Sequence, residues 1–172
     1  MSVKEIAVLF RSGFHSYKLE LELSTEGIDF EKRGGLKLTE SAHMKDVLAF
    51  LRLLVNPQDN LSWSRLFLQL EKVGPKTAQK ITAAITASSN PFAALATYPT
   101  GANWKQGLAK LNQLFVELHD SEQSPSGLYE IVMGYYQPIF QHLYADDYPK
   151  RQKDLDQLKA IMVGYADLQA LH

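Results

Sequence analysis

Cysteine is absent from the 172 residues, which excludes disulfide bonds and thiolate metal sites. Long apolar runs are absent as well, since none approaches the roughly 20 residues that cross a bilayer. The short apolar run "IAVLF", residues 6–10, is too brief for a signal peptide. We therefore expect a protein without a membrane partner that works in the reducing cytoplasm.

The sequence also lacks the common motifs of catalysis. The five histidines show no metal-ligand spacing, and there is neither a G-x-S-x-G elbow nor a G-x-x-x-x-G-K-[ST] phosphate loop. Asp146 and Asp147 fit a loop and helix cap better than an acid/base pair, and the tyrosines at helical spacing fit a core better than base stacking. We expect no catalytic residue and no bound metal in this chain.

Net charge gives no sign of a chain that coats nucleic acid, because the formal value is −1. A local basic patch is still compatible with that value, since the field depends on how charges are distributed. Residues 31–52 hold five Lys or Arg against three Asp or Glu, and residues 65–80 hold four against Glu71 alone. The hydrophobic fraction of 45% is sufficient for a buried core.

The first 37 residues predict a strand, a helix and a second strand. "IAVLFR" is typical of a strand buried on both faces, "SYKLELELSTEG" predicts a helix that ends near Gly27, and "IDFEKRGG" predicts another strand. Parallel pairing of two such strands needs more sheet than this chain supplies. We therefore interpret residues 1–37 as the edge of a larger α/β domain and expect the chain to be cut from a longer protein.

The remainder, residues 38–172, predicts a helical domain. Thr39 is the expected N-cap of the first long helix, which stops before Pro57, and Pro75 and Asn90 are expected to begin two later helices. Pro138 should kink or break a further helix. A last helix, opened by Asp147, should run to the end of the chain without a glycine C-cap. One long helix should bury an apolar face: Trp104, Leu108, Leu111, Leu114, Phe115 and Leu118.

The segment "KVGPKTAQKI" resembles the second half of a helix-hairpin-helix module. In such modules a glycine turn lets backbone N–H groups approach a DNA phosphate, and the next helix adds its dipole and lysines. The turn has Lys72 where the motif's first glycine stands. An ordinary Gly-Pro connection with solvated lysines is the alternative. The candidate DNA-backbone residues are Lys72, Val73, Gly74, Lys76, Thr77 and Lys80.

The order of motifs in the first 80 residues resembles the UvrD/PcrA/Rep-type superfamily 1 DNA helicases. An Arg-Ser strand end, a Gly-Gly turn and a "K-D-x-L…L-R-L…N-P-x-D" helix occur in the family's order. Gly13 and Tyr17 stand where the family has asparagine and arginine. The matching residues are Gly34, Gly35, Leu36, Lys37, Lys45, Asp46, Leu48, Leu51, Arg52, Leu53, Asn56, Pro57 and Asp59.

The resemblance implies that residues 1–37 belong to the RecA-like 2A domain and residues 38–172 to the helical 2B subdomain. It further implies an ATP-dependent 3′–5′ helicase active in DNA repair or replication restart, whose ATP and Mg²⁺ lie elsewhere in the full-length protein. Its partners would be a duplex/single-strand DNA junction and the other motor domains. Arg11 and Ser12 would contact single-stranded DNA, and Gly34, Gly35 and Lys37 would form a conformational turn. A helical protein-interaction module without DNA contact is the alternative function.

Overall fold

The computed structural model describes residues 6–10, 16–32, 41–101 and 103–168. Regular structure in these ranges is helical, so the prediction of a mainly α chain is confirmed. The described residues form eight helices: α1 (Tyr17–Thr25), α2 (Ala42–Val55), α3 (Asn60–Phe67), α4 (Pro75–Thr86), α5 (Pro91–Thr97), α6 (Lys105–Asp120), α7 (Pro125–Leu143) and α8 (Tyr148–Met162).

The helix starts follow the local chemistry of the chain. Asp59 caps α3 by accepting hydrogen bonds from the N–H groups of Leu61 (3.0 Å) and Ser62 (3.2 Å). Burial raises the pKa of Asp59, but the hydrogen bonds from Ser62 and Leu61 outweigh it and lower the pKa. Asn90 caps α5 through the N–H of Ala93, at 3.1 Å. Proline occupies the first turn of α4, α5, α7 and α8, where its missing N–H has no intrahelical partner to lose. The predicted starts at Pro75 and Asn90 are therefore confirmed.

Helix α2 lies at the centre and packs on α3, α7 and α8, while α3 to α6 pack one on the next. Trp63 is fully buried, donates from Nε1 to the Pro57 carbonyl at 2.8 Å, and stacks on Phe67. Burying a side chain of this size contributes roughly 1.5–3 kcal/mol. The largest fully buried side chains are aromatic: Trp63, Tyr136, Phe50, Phe67, Phe115 and Phe140. This core holds α3 and therefore the α3–α4 connection.

The predicted strands are not formed in the described parts of the first 32 residues. Residues 6–10 and 28–32 have no regular structure, and residues 6–10 are exposed, Leu9 at 94%. A strand needs a partner for its backbone hydrogen bonds, and apolar side chains alone do not supply one. The helix between them does form with Glu26 as its C-cap, and Gly27 follows with φ +65°, as its predicted role as the C′ residue requires.

Two predicted helix boundaries were wrong, and of the two alternatives predicted at Pro138, a kink or a break, the break is not formed. The N-cap of α2 is Ser41 rather than Thr39, and α8 ends at Met162, before Gly164, instead of continuing to the chain end. Helix α7 continues through Pro138. Pro138 removes the hydrogen bond to the Gly134 carbonyl, but both residues are exposed, so water can replace it. The buried side of α7 keeps the helix on the core.

Candidate nucleic-acid interface

The connection between α3 and α4 contains a tight turn with an unusual residue. The Val73 N–H donates to the Leu70 carbonyl at 3.1 Å, which closes a four-residue turn. Lys72, its third residue, has φ +63° and is the only non-glycine residue with positive φ in the described chain. This φ is typical of a type II turn, where glycine is preferred. Lys72 therefore adopts a conformation that favours glycine, at a steric cost to a residue with a Cβ.

Gly74 follows as the N-cap of α4, with φ −91° and ψ 173°. Any residue adopts this conformation, and a Cβ added at Gly74 would meet no atom within 4 Å. The fold itself therefore does not require glycine at this position. Because glycine has no Cβ and no atom surrounds that position, another molecule can approach the backbone closely at this residue.

The first turn of α4 has free hydrogen-bond donors. Gly74 provides no side-chain cap, and the N–H groups of Lys76 and Thr77 have no acceptor among the described residues. The first turn carries no acidic residue, and Lys76 places a positive charge at the positive end of the helix dipole. That placement destabilises the helix by about 0.3–1 kcal/mol, and an anion bound at this end would offset the unfavourable charge.

Exposure divides the six predicted backbone-binding residues into two groups. Lys72, Gly74, Lys76 and Lys80 are exposed and Thr77 is half-buried, so the structure brings them together around one open helix end. Val73 is only 7% exposed, and its N–H is already used within the turn. Val73 thus anchors the turn in the core. Its assignment as a phosphate contact stays a prediction, and its backbone N–H is not free to donate to a phosphate. The other predicted positions, Arg11, Ser12, Gly34, Gly35 and Lys37, lie outside the described residues.

A buried carboxylate supports the first helix of this pair. Asp46 on α2 is 4% exposed and accepts hydrogen bonds from Arg65 Nη1 (2.8 Å), Tyr136 Oη (2.7 Å) and Tyr144 Oη (3.1 Å). Arg65 lies on α3, so this carboxylate ties α3 to α2 and α7. Burial, and then the Asp46 charge, raises the pKa of Tyr144 to about 12 and also raises the pKa of Tyr136, so both hydroxyl groups stay protonated as donors.

His43 lies beside this network and joins α2 to α8. Its Nε2 is 3.0 Å from Asp154 Oδ2, and its Nδ1 is 3.2 Å from Nη1 of Arg151. Arg151 has only donors, so Nδ1 accepts and the imidazole is neutral with its proton on Nε2. Burial lowers the pKa of His43. The charge of Asp154 raises this pKa in part, and the charge of Arg151 lowers it further. Arg151 also lies over the Tyr144 ring, 4.4 Å from its centroid.

Sequence reasoning missed both networks. Asp46 and Tyr136 are 90 residues apart, and no local pattern connects them. The sequence contains two weak signals of the Asp46 network. Asp46 is one of the residues that carry the family resemblance, and it lies within an apolar helical stripe, where a buried aspartate needs partners.

Other classes of site find no support in the described part of the chain. No group of three or more His, Cys, Asp or Glu side chains there could hold a metal ion. None of the helices described is both long enough and apolar enough to traverse a lipid bilayer.

Comparisons with known proteins agree with the family resemblance. The sequence model of the UvrD-like helicase C-terminal domain matches residues 1–162. Over 78 residues the chain is 37% identical to a "Probable DNA helicase II homolog" of Mycoplasma capricolum, covering 45% of this chain and 11% of that protein. It is 34% identical over 80 residues to the ATP-dependent DNA helicase PcrA of Bacillus subtilis, covering 46% and 11%.

A third relative is the ATP-dependent DNA helicase Rep of Salmonella typhimurium, 33% identical over 79 residues, which are 45% of this chain and 12% of Rep. The aligned region is thus 11–12% of the length of these three relatives. No solved structure matches the chain. Because the family match covers nearly the whole sequence, the chain belongs to the UvrD-like helicase C-terminal domain family, as its UvrD/PcrA/Rep-type motifs predicted.

Proposed function

We propose that this chain is a portion of an ATP-dependent 3′–5′ DNA helicase, and that it contacts the backbone of duplex DNA and regulates unwinding. The observation that carries this proposal is the open end of α4, where Lys72, Gly74 and Lys76 surround unpaired N–H groups. Membership of a helicase family supports DNA as the anion. In this proposal the α3–α4 pair acts as a helix-hairpin-helix element.

The contact would use general features of the phosphate group. The N–H groups of Lys76 and Thr77 would donate to phosphate oxygens, since a helix N-terminus favours negative charge. Lys72 and Lys76 would add charge-assisted contacts, with Lys80 one helical turn further on. Such contacts position a protein on the duplex but do not read its sequence. The element would therefore suit a motor that must act on any DNA sequence.

The remaining parts of the proposal concern the whole protein. Residues 1–37 would belong to the RecA-like 2A domain and residues 38–172 to the 2B subdomain. The exposed apolar residues 6–10 support this division, because such a segment is suited to pairing with a sheet supplied by the motor. We infer that ATP and Mg²⁺ would be bound outside this chain, since its sequence contains no G-x-x-x-x-G-K-[ST] phosphate loop. They would bind other motor domains, in a cytoplasmic enzyme of repair or replication restart.

Fluorescence anisotropy of the 172-residue chain with a 3′-tailed duplex would test the DNA contact. In counterion-release theory the association constant falls as salt to the power of about 0.9 per phosphate. One phosphate contact therefore contributes about 15-fold at 50 mM and about fourfold at 200 mM, relative to 1 M salt. The Lys76→Gln protein should lose about these factors in its association constant. Its slope of log association constant against log salt concentration should be shallower by about 0.9.

Lys153→Gln is the matched control, since Lys153 is an exposed lysine on α8 with no ion pair among the described residues. It should bind like the unchanged chain. Equal affinity of the Lys76→Gln protein and the unchanged chain would refute the DNA contact. Salt-insensitive association with other motor domains, unaffected by either lysine change, would instead support the protein-interaction module.

A further inference from the structure

One long stretch of the sequence contains no acidic residue. The 45 residues from Lys72 to Val116 include five lysines and neither Asp nor Glu, although the whole chain has a net charge of −1. The rest of the chain therefore carries all 19 Asp and Glu against 13 Lys and Arg. The stretch covers α4, α5 and most of α6, so its charge is concentrated in one run of consecutively packed helices.

The five lysines of this stretch are available to a ligand. Lys72, Lys76 and Lys80 lie at the α4 end, and Lys105 and Lys110 lie on α6. All five are exposed, and none forms a salt bridge with a described residue. Ordinary solvated surfaces intersperse charges of both signs, so five unpaired lysines with Glu71 as the one directly adjacent acid in sequence favour a local positive field.

Packing places the start of α6 against the turn that carries Lys72. A Cβ built at Gly107 would lie 3.4 Å from Leu70 Cδ2, so the beginning of α6 rests against the α3–α4 turn. Leu70 is the first residue of the turn that presents Lys72. Lys105 and Lys110 are two and three residues from Gly107, or roughly 3 and 4.5 Å along the helix axis. At about 100° per residue they project about 140° apart, on the two sides of the exposed face of α6. Glycine allows this close approach, and a larger residue would press on Leu70.

We propose that Lys105 and Lys110 form a second phosphate-contacting site, which continues the α4 end across the start of α6 and binds the same duplex. The proposal rests on the proposed DNA contact and extends it from one helix end to an elongated surface, the lysine face (Lys72, Lys76, Lys80, Lys105 and Lys110). Charge complementarity identifies the occupant as a polyanion longer than one phosphate. An extended duplex backbone would place successive phosphates along the two helices and hold the duplex in one orientation.

Salt-dependent anisotropy with the same 3′-tailed duplex distinguishes this site from the hairpin contact. The double variant Lys105→Gln/Lys110→Gln should lower the slope by about 0.9–1.8 and the affinity at 50 mM by at least about 15-fold. Its matched control, Lys150→Gln/Lys153→Gln, removes the same charge from exposed positions of α8 and should change neither. Lys76→Gln, measured beside them, reports on the hairpin alone.

Each pattern of results either supports or overturns the second phosphate-contacting site. A loss in the α6 double variant, but not in its control, supports the lysine face. An unchanged double variant with a weakened Lys76→Gln protein overturns the second site and leaves the hairpin contact intact. No effect of either change overturns both. Equal competition by polyglutamate of matched charge would also overturn the proposal, since it would show a surface for acidic polypeptides in general.

The absence of cysteine allows a direct positional test. Gln106→Cys introduces a single thiol between the two α6 lysines, and a photoreactive label on it should cross-link to the duplex arm. Lys153→Cys, labelled in the same way, should not cross-link. Cross-linking from Gln106→Cys to the single-stranded tail alone would contradict the assignment of this face to duplex DNA.

Discussion

Replacing Lys72 by glycine should raise stability and weaken DNA binding at the same time. The left-handed conformation of Lys72, φ +63°, costs a residue with a Cβ about 1–2 kcal/mol. Glycine removes that cost but loses about 0.5–1 kcal/mol more backbone entropy on folding. We expect a net gain of roughly 0.5–1 kcal/mol, which for a domain of this size raises Tm by about 1–4 °C.

Lys72→Gln separates the charge from the backbone conformation. Glutamine keeps the Cβ and removes the ammonium group, so stability should stay within about 0.5 kcal/mol of the unchanged chain. Both variants should lose one phosphate contact, about 15-fold in affinity at 50 mM salt. Thermal unfolding by circular dichroism and anisotropy titrations measure the two effects on the same samples.

Two results would refute this reasoning at different points. If Lys72→Gly leaves Tm unchanged or lowers it, the lysine is not strained and the turn does not favour glycine. If Lys72→Gln binds the duplex as tightly as the unchanged chain, the side chain at position 72 has only a structural role. The second result would leave the strain argument standing.

Three further predictions concern other parts of the site. Gly74→Ala should change stability by less than about 1 kcal/mol but weaken duplex binding severalfold, because its Cβ fills the open space in front of α4; equal affinity in anisotropy would contradict this. Asp46→Ala should cost about 3 kcal/mol in urea unfolding, since it leaves the buried Tyr136 hydroxyl without its acceptor and Arg65 without its partner; a loss below about 1 kcal/mol would show that the network is dispensable. Stability should fall as the pH drops below about 6.5, because the lowered pKa of His43 means that the unfolded chain binds the proton first. Urea midpoints at pH 7.5 and 5.5 measure this dependence, which His43→Gln should reduce; an equal pH dependence in that variant would assign it to other groups.

Much of the helical structure could be predicted because its causes are local. Apolar periodicity identified α2 and α6, and Asn90, Pro75 and Gly27 marked helix ends through their own backbone or side-chain chemistry. Local reasoning allowed a break at Pro138, which does not form, since the exposed side of α7 tolerates a lost hydrogen bond while its buried side stays packed.

The failed strand predictions have a different cause. The apolar run at residues 6–10 indicates a buried strand, but pairing depends on a neighbouring strand, and no property of five residues supplies one. The buried networks of Asp46 and His43 were equally beyond local reasoning, because their partners lie 90 and 111 residues away.

By itself the sequence determined the family, the helical class and the chemistry of the α4 start, because motif order, periodicity and caps are properties of neighbouring residues. Only the tertiary structure decided that Lys72 occupies a left-handed turn, that Val73 is buried while Gly74 faces open space, and that the start of α6 contacts Leu70 of the same turn. These facts depend on packing between helices, which sets the conformation of a turn and the neighbours of a surface. Patterns among neighbouring residues do not reveal either one.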